Sequence, residues 1–374
     1  MRIALVITEL DPGGAEKCLT QLACFLAARD HDVRVFAIGP PPSAGHDAFL
    51  HELAIHQVPV EFCIAPGSLR TLRSFPKVVR WLRAELQRFA PDVVQAMLFH
   101  GNLLAALATD YKRVKLFGGA RVRQPEQWRW WLQRWASRRM RKLVCVSDDV
   151  ATHCEKMERI ARAKLVTIPN GIDLQAVNCI LDASAEFTWS KFGLPAEAQV
   201  LLFVGRLHRQ KGIEELVTRA DELLSKLPQH HLVIIGNGPL ESRLRGLASA
   251  RVHILGWQTN VIAFMNRAEV LLLPASYEGM PNVLLEAMAA RLPFIAFDVD
   301  GVRQLLDNSA FATHQIAAAG NFDQFFSLTC QMANSPFLRA NCALSNYERI
   351  KQHFQLADQL AAYARLYKMR RPSR

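Results

Sequence analysis

A chain of 374 residues is long for a single hydrophobic core, so length alone points to two domains. Half of the residues are hydrophobic, which suits globular folding rather than a solvated, disordered chain. The formal net charge is +11 and is uneven: Lys and Arg outnumber Asp and Glu by 25 to 17 over residues 1–180 and by 20 to 17 over residues 181–374. A basic first half suits nucleic acid, an acidic membrane surface or a phosphorylated substrate, and equally an ordinary basic surface. The eight cysteines include no CxxC pair, which argues against a zinc knuckle or a disulfide framework and for a reduced, cytoplasmic chain. MRIALVITEL turns acidic at Glu9 and is no signal peptide. No later run reaches the roughly 18 apolar residues of a membrane span.

From the N-terminus, Arg2 to Thr8 reads as a buried parallel strand, and Asp11-Pro12-Gly13-Gly14 turns it into a helix with Leu19, Leu22, Ala23 and Leu26 on one face. Gly13 and Gly14 allow a ligand such as phosphate to approach backbone, although the spacing is not GxGxxG. Strand-like runs follow at Asp32 to Ile38, Asp92 to Met97, Lys115 to Gly118 and Lys142 to Ser147, with helical patterns between them. Alternating strands and helices predict an α/β fold with a parallel sheet.

Two basic stretches interrupt this half. Between Leu69 and Phe89, Arg70, Arg73, Lys77, Arg80 and Arg83 recur at helical spacing, with Pro76 expected to break the pattern. Trp128, Trp130, Trp131 and Trp135 interleave with Arg129, Arg134, Arg138, Arg139 and Arg141. That composition suits a lipid headgroup layer, stacked bases, or a helix packed before a strand. His100 follows the strand ending near Met97, where ligands gather in open α/β sheets, yet an isolated histidine is more often structural than catalytic. The turn Ile168 to Asp173 closes the half, and residues 174 to 198 read as a connector.

The alternation restarts at Val200 to Val204, which ends in Gly205-Arg206. Lys211-Gly212 then precedes a helix, and two cations in such a loop can hold a diphosphate. Leu232 to Ile235 runs into Gly236-Asn237-Gly238. Val252 to Leu255, Val270 to Leu273 and Phe294 to Phe297 complete five strands. After Val270 to Leu273 a loop carries Glu278, Gly279 and Met280; Pro281 is expected at the first helical position, followed by Asn282, with Glu286 one turn in. Its helix N-terminus attracts an anion, while the two carboxylates accept hydrogen bonds from hydroxyls.

Taken together, Gly13-Gly14-Ala15-Glu16, IPNGID (168 to 173), VGRLHRQKG (204 to 212), IIGNGP (234 to 239) and Glu278-x7-Glu286 resemble the GT4 family of retaining glycosyltransferases, which have the GT-B fold. The resemblance covers nearly the whole chain. It implies two Rossmann-like domains facing across a cleft: an acceptor-binding domain over residues 1–182, rejoined by a C-terminal helix over 346–374, and a nucleotide-sugar-binding domain over 183–345. Arg206 and Lys211 are implied to clamp the donor diphosphate, with Gly236 in the neighbouring phosphate loop. Glu286 is implied to accept from ribose hydroxyls. Glu278, with the following backbone of Gly279, Met280, Pro281 and Asn282, would orient the transferred sugar. Gly13 and Gly14 would bring first-domain backbone to the phosphates, and His100 takes the family's position for a residue that hydrogen-bonds the sugar near the reacting carbon. His100 and Glu278 are thus the candidate catalytic residues.

The implied substrates are a UDP- or GDP-sugar donor and a glycan or lipid-linked acceptor, in polysaccharide or glycolipid assembly. No cofactor, metal or nucleic acid is implied, and the basic first domain suits an anionic membrane surface on its cytoplasmic, inner face. In such a family a same-face displacement is favoured, with the leaving phosphate oxygen taking the acceptor's proton. Asp298-Val299-Asp300 spells the DxD of a different, metal-dependent glycosyltransferase fold, but here it reads as a strand-end turn. Asp300-Gly301 stands where the family commonly has Gly-Gly, and Gln304 where it often has Glu. The competing functions are a catalytically silent nucleotide-sugar binder and a basic nucleic-acid-binding protein. The second leaves the ordered phosphate loops of the second half unexplained.

Overall fold

The computed structural model describes all residues except 44, 64–74, 125, 185, 308 and 370–374. The chain divides into two compact units, one built from Met1–Asn170 and Asp358–Arg374, the other from Gly171–Ala357. The first contains β1 (Arg2–Ile7), β2 (Asp32–Ala37), β3 (Val60–Phe62), β4 (Val93–Ala96), β5 (Lys115–Ala120), β6 (Lys142–Cys145) and β7 (Leu165–Thr167). All pair in parallel, in the order β3-β2-β1-β4-β5-β6-β7. Residues 3–7 of β1 are fully buried, as expected of a central parallel strand covered by helices on both faces.

The second unit repeats the plan with β8 (Gln199–Val204), β9 (His230–Ile235), β10 (Val252–Gly256), β11 (Val270–Leu273), β12 (Phe294–Phe297) and β13 (Ile316–Ala317), parallel in the order β10-β9-β8-β11-β12-β13. Leu201 and Phe203, two residues apart, join Leu232, Ile234, Ile295 and Phe297 in one core that Phe325, Phe326 and Met332 cover. Each sheet is doubly wound, and its order reverses between β1 and β4 in one unit and between β8 and β11 in the other. At such a reversal the flanking helices leave in opposite directions, which opens a crevice at the carboxyl ends of the strands.

Several expected boundaries move. The first unit ends at Asn170 and not at 182, because Leu174–Ala183 is a helix that packs on Val261–Met265 and Asn282–Ala289 of the second unit. The return to the first unit comes at Asp358 and not at 346. Pro336–His353 forms one helix against the second unit's helices, and a new helix, Leu356–Lys368, starts after Phe354 and Gln355. Ile172 fixes that break: its N–H donates to Phe354 O at 2.8 Å and its carbonyl accepts from Leu356 N at 3.0 Å. Tyr363 and Tyr367, on the returning helix, are buried in the first unit, where the Tyr367 hydroxyl donates to Gln95 Oε1 at 3.2 Å. Pro76 interrupts nothing. It sits in the first turn of the helix Phe75–Phe89, where its missing N–H leaves no bond unmade; Arg70 and Arg73 lie outside the described residues.

Candidate active site

In the second unit the loops after β8 and β11 meet at the reversal of strand order. Ser276 N donates to Gln210 O at 2.8 Å, and Gln210 Nε2 donates to Tyr277 O at 2.9 Å. These two rungs bring Lys211 against Glu278, and the Lys211 ammonium pairs with Glu278 Oε1. Both side chains are largely buried, at 19% and 11% exposure, so the pair is shielded from water. Arg206, also just past β8, is exposed and has no side-chain partner among the described residues. Gly236 follows β9, and its N–H donates to Gly256 O at 2.8 Å.

Past Glu278, the buried run Gly279, Met280 and Pro281 leads into the helix Asn282–Ala289. Pro281 is the N-cap, with φ −73° and ψ 116°, and Asn282 is the first helical residue. The expected first-turn position for Pro281 is therefore off by one, because its extended ψ keeps it outside the helix. Glu286 stands half-buried on the fifth residue of that helix, a turn from its positive end. The loop after β12 completes the wall. Gly301 adopts φ +73°, and a Cβ there would lie 2.1 Å from Gly279 O and 2.9 Å from Met280 Cα. Only glycine allows the β12 loop to pass this close to the backbone beside Glu278. Asp298, the first acid of the DxD string, is bound to the Arg303 guanidinium at 2.5 Å, and Asp300 is buried.

One strand-end surface thus collects two cations, two carboxylates and a helix N-terminus. Such a set can neutralise a diphosphate and accept hydrogen bonds from hydroxyls of the same ligand. The spacing of Lys211, Glu278 and Glu286 was visible in the sequence. Their pairing was not, because 67 residues separate Lys211 from Glu278 and only the sheet order joins them.

In the first unit, Gly13 caps the helix Gly14–Ala27 in extended conformation, and Gly14 is exposed. His100 lies on the third residue of the helix Leu98–Ala108, which begins directly past β4. Its ring meets Phe99 edge-on at 5.2 Å. Burial and then the Arg129 charge hold its pKa below the usual 6.5, which favours the neutral imidazole. Leu98 adopts φ +66°, a costly conformation for a bulky residue that turns the chain abruptly from β4 into the helix. Nothing in the sequence marks it. Asn170 of the IPNGID string is buried and accepts from Arg121 Nη2, so that asparagine ties the end of the first unit to the residue after β5. Of the tryptophans in the helix Gln127–Arg139, Trp128 and Trp131 are 54% and 66% exposed, whereas Trp130 packs on His153 and donates to Gln124 O at 2.7 Å.

Comparison with known proteins agrees with this fold. The family model described as Glycosyltransferase Family 4 matches residues 12–176, and that described as Glycosyl transferases group 1 matches residues 198–334. An Escherichia coli UDP-Gal:alpha-D-GlcNAc-diphosphoundecaprenol alpha-1,3-galactosyltransferase is 27% identical over 186 residues, 48% of each chain. TuaC of Bacillus subtilis, a putative teichuronic acid biosynthesis glycosyltransferase, is 34% identical over 164 residues, 43% of this chain and 39% of its own. The chain spans about half the length, or less, of these curated relatives. The crystal structure of Anabaena Alr3699/HepE in complex with UDP-glucose superposes with a TM-score of 0.82 at 18% identity, covering 98% of this chain and 99% of that one. Two family models that between them span most of the sequence, laid over two doubly wound parallel sheets, make this chain a member of the GT4 family of glycosyltransferases with the GT-B fold.

Proposed function

We propose that the protein is a retaining, metal-independent glycosyltransferase that moves a sugar from a nucleotide-diphosphate sugar to a hydroxyl of a glycan or lipid-linked acceptor. The observation that carries this reading is the convergence of Lys211, Glu278 and the Glu286-bearing helix N-terminus at one reversal of strand order. A UDP-sugar is favoured over a GDP-sugar, since the E. coli relative is named for UDP-Gal and HepE holds UDP-glucose. When the anomeric C–O bond breaks, negative charge collects on the diphosphate. Arg206, Lys211 and the helix dipole stabilise it there. Glu286 accepts from the ribose hydroxyls, Glu278 orients the sugar, and Gly236 leaves room in the phosphate loop. On the first unit, Gly13 and Gly14 offer backbone to phosphate, and neutral His100 hydrogen-bonds the sugar. The acceptor oxygen bonds to the anomeric carbon on the face the phosphate leaves, and the leaving phosphate oxygen takes the acceptor's proton. With Asp298 held by Arg303, the DxD string serves as a turn while cations supply the charge a metal would bring.

Calorimetric titration of UDP- and GDP-sugars tests the site. Lys211→Ala and Glu286→Ala should each weaken donor binding by about 10- to 100-fold, the loss of one charged hydrogen bond, with the circular dichroism spectrum retained. Unchanged titration in both variants would remove the proposed site, and donor binding without transfer or hydrolysis would favour a silent binder.

Peripheral membrane placement rests on Trp128 and Trp131, exposed one turn apart on an arginine-rich helix. No helix among the described residues is long and apolar enough to cross a membrane. Sedimentation with anionic vesicles at low salt should be lost at high salt and reduced in Trp128→Ala/Trp131→Ala; no sedimentation at low salt ends this reading.

A further inference from the structure

We propose that Glu278 is an internal competitor for Lys211, one that loosens the nucleoside diphosphate left behind after sugar transfer. The inference rests on the donor-site reading above and concerns the pairing of two residues that reading treats separately. The contact is imposed by backbone. Gln210 is fixed to Ser276 and Tyr277 by two hydrogen bonds, and Gly212 on the other side of Lys211, at φ +65°, passes so near β11's end that a Cβ would lie 1.9 Å from Pro274 O. The loops cannot separate without breaking these contacts, so only side-chain rotation parts Lys211 from Glu278.

A diphosphate reaching Lys211 therefore meets an ammonium that a buried carboxylate already neutralises. It must displace the carboxylate or share the cation with it, and the two anions repel. An intact donor resolves the conflict, because its sugar offers hydroxyls to which Glu278 can turn. The bare nucleoside diphosphate offers none. Once the sugar has left, Glu278 returns to Lys211, and the product's apparent affinity falls by the fraction of sites in which the cation is free. The same carboxylate thus favours donor over product.

UDP and GDP are titrated calorimetrically into the wild-type protein, Glu278→Gln, Lys211→Met and the double variant. Wild-type protein that binds neither nucleotide, or Lys211→Met that binds as well as wild type, refutes the donor site itself, and the inference falls with it. With the site intact, Glu278→Gln is expected to bind the bare nucleotide about tenfold tighter, and to gain less than about threefold in the Lys211→Met background. Transfer should slow in the same variant, separating product affinity from turnover. Unchanged or weaker nucleotide binding in a folded Glu278→Gln protein overturns the inference. So does an equal gain in both backgrounds, which would reflect general repulsion and not competition for Lys211. Should Glu278→Gln fold poorly, Glu278→Asp withdraws the carboxylate from Lys211 and is read by the same outcomes.

Discussion

Substitution of Gly301 by alanine isolates the apposition of the β12 and β11 loops. The new methyl would sit 2.1 Å from Gly279 O, and neither partner is a flexible side-chain end. Since nonbonded heavy atoms need more than 3 Å, one loop must retreat by roughly 1 Å. The displaced segment is Gly279 and Met280, between Glu278 and the helix that carries Glu286. A misplacement of that size costs about 100-fold in rate when it falls on the groups that position substrate. The left-handed backbone adds about 1 kcal/mol of strain. Gly320 provides the control, because its φ of +76° matches Gly301's φ of +73° while nothing lies within 4 Å of its missing Cβ. Gly320→Ala should lose about 1 kcal/mol of stability to the same strain and keep its transfer rate. Steady-state kinetics with the donor identified by titration, beside thermal unfolding, separates the two effects. Equal transfer rates in Gly301→Ala and Gly320→Ala would show that the loop contact does not position the site.

Two titrating groups give further expectations. Burial raises the Glu158 carboxyl from its ordinary 4.5 to about 7, against a lowering by its hydrogen bond to Cys154. The folded chain then holds a proton that the unfolded chain releases first, so this contribution to stability is present below about 4.5 and is lost as pH rises to about 7. The interval amounts to about 3 kcal/mol. Glu158→Gln should be stabilised relative to wild type by that order at pH 8 compared with pH 4.5, measured by urea unfolding followed through tryptophan fluorescence; parallel pH profiles would contradict it. For His100 the sign is opposite. Its lowered pKa means that the unfolded chain takes up the proton first, so its contribution to stability is full above 6.5 and falls as pH drops through the folded value. Arg129→Gln removes the second cause of that lowering and should shift the acidic limb of the kcat/KM profile toward higher pH. An acidic limb that stays in place would mean that His100 does not titrate in the rate.

The fold was legible where a strand is central and its apolar run continuous. β1, β8, β11 and β12 are such strands, and their expected spans differ from the observed ones by at most a residue. The strands that escaped, β3, β7 and β13, are only three, three and two residues long. β3 and β13 lie at sheet edges and β3 is only half-buried, so pairing with a neighbour and not local composition makes them strands. The helix Leu174–Ala183 reads as a connector for a related reason. Val177 is its one buried residue in the chain's own pattern, and its packing on two helices of the second unit supplies the rest. A boundary placed by composition then falls in the last turn of that helix, whereas one placed by packing falls before it.

At the site, glycine and charge spacing revealed which residue types gather at the strand ends, but not which of them touch. Lys211 and Glu278 illustrate the gap. Each is legible as a ligand-facing residue, and a ligand-facing cation and anion look additive when each is considered against the donor alone. Strand order β8-β11 makes them neighbours, and two hydrogen bonds at Gln210, one from Ser276 N–H to its carbonyl and one from its side-chain amide to Tyr277 O, hold the two loops together. An opposed pair of buried charges is stable only while each has the other or a substitute. In the donor site we propose, the donor brings both substitutes at once, a diphosphate for the lysine and hydroxyls for the glutamate. A nucleotide without its sugar brings only one, and it is this asymmetry, invisible to any motif, that turns a binding pair into a device able to distinguish substrate from product.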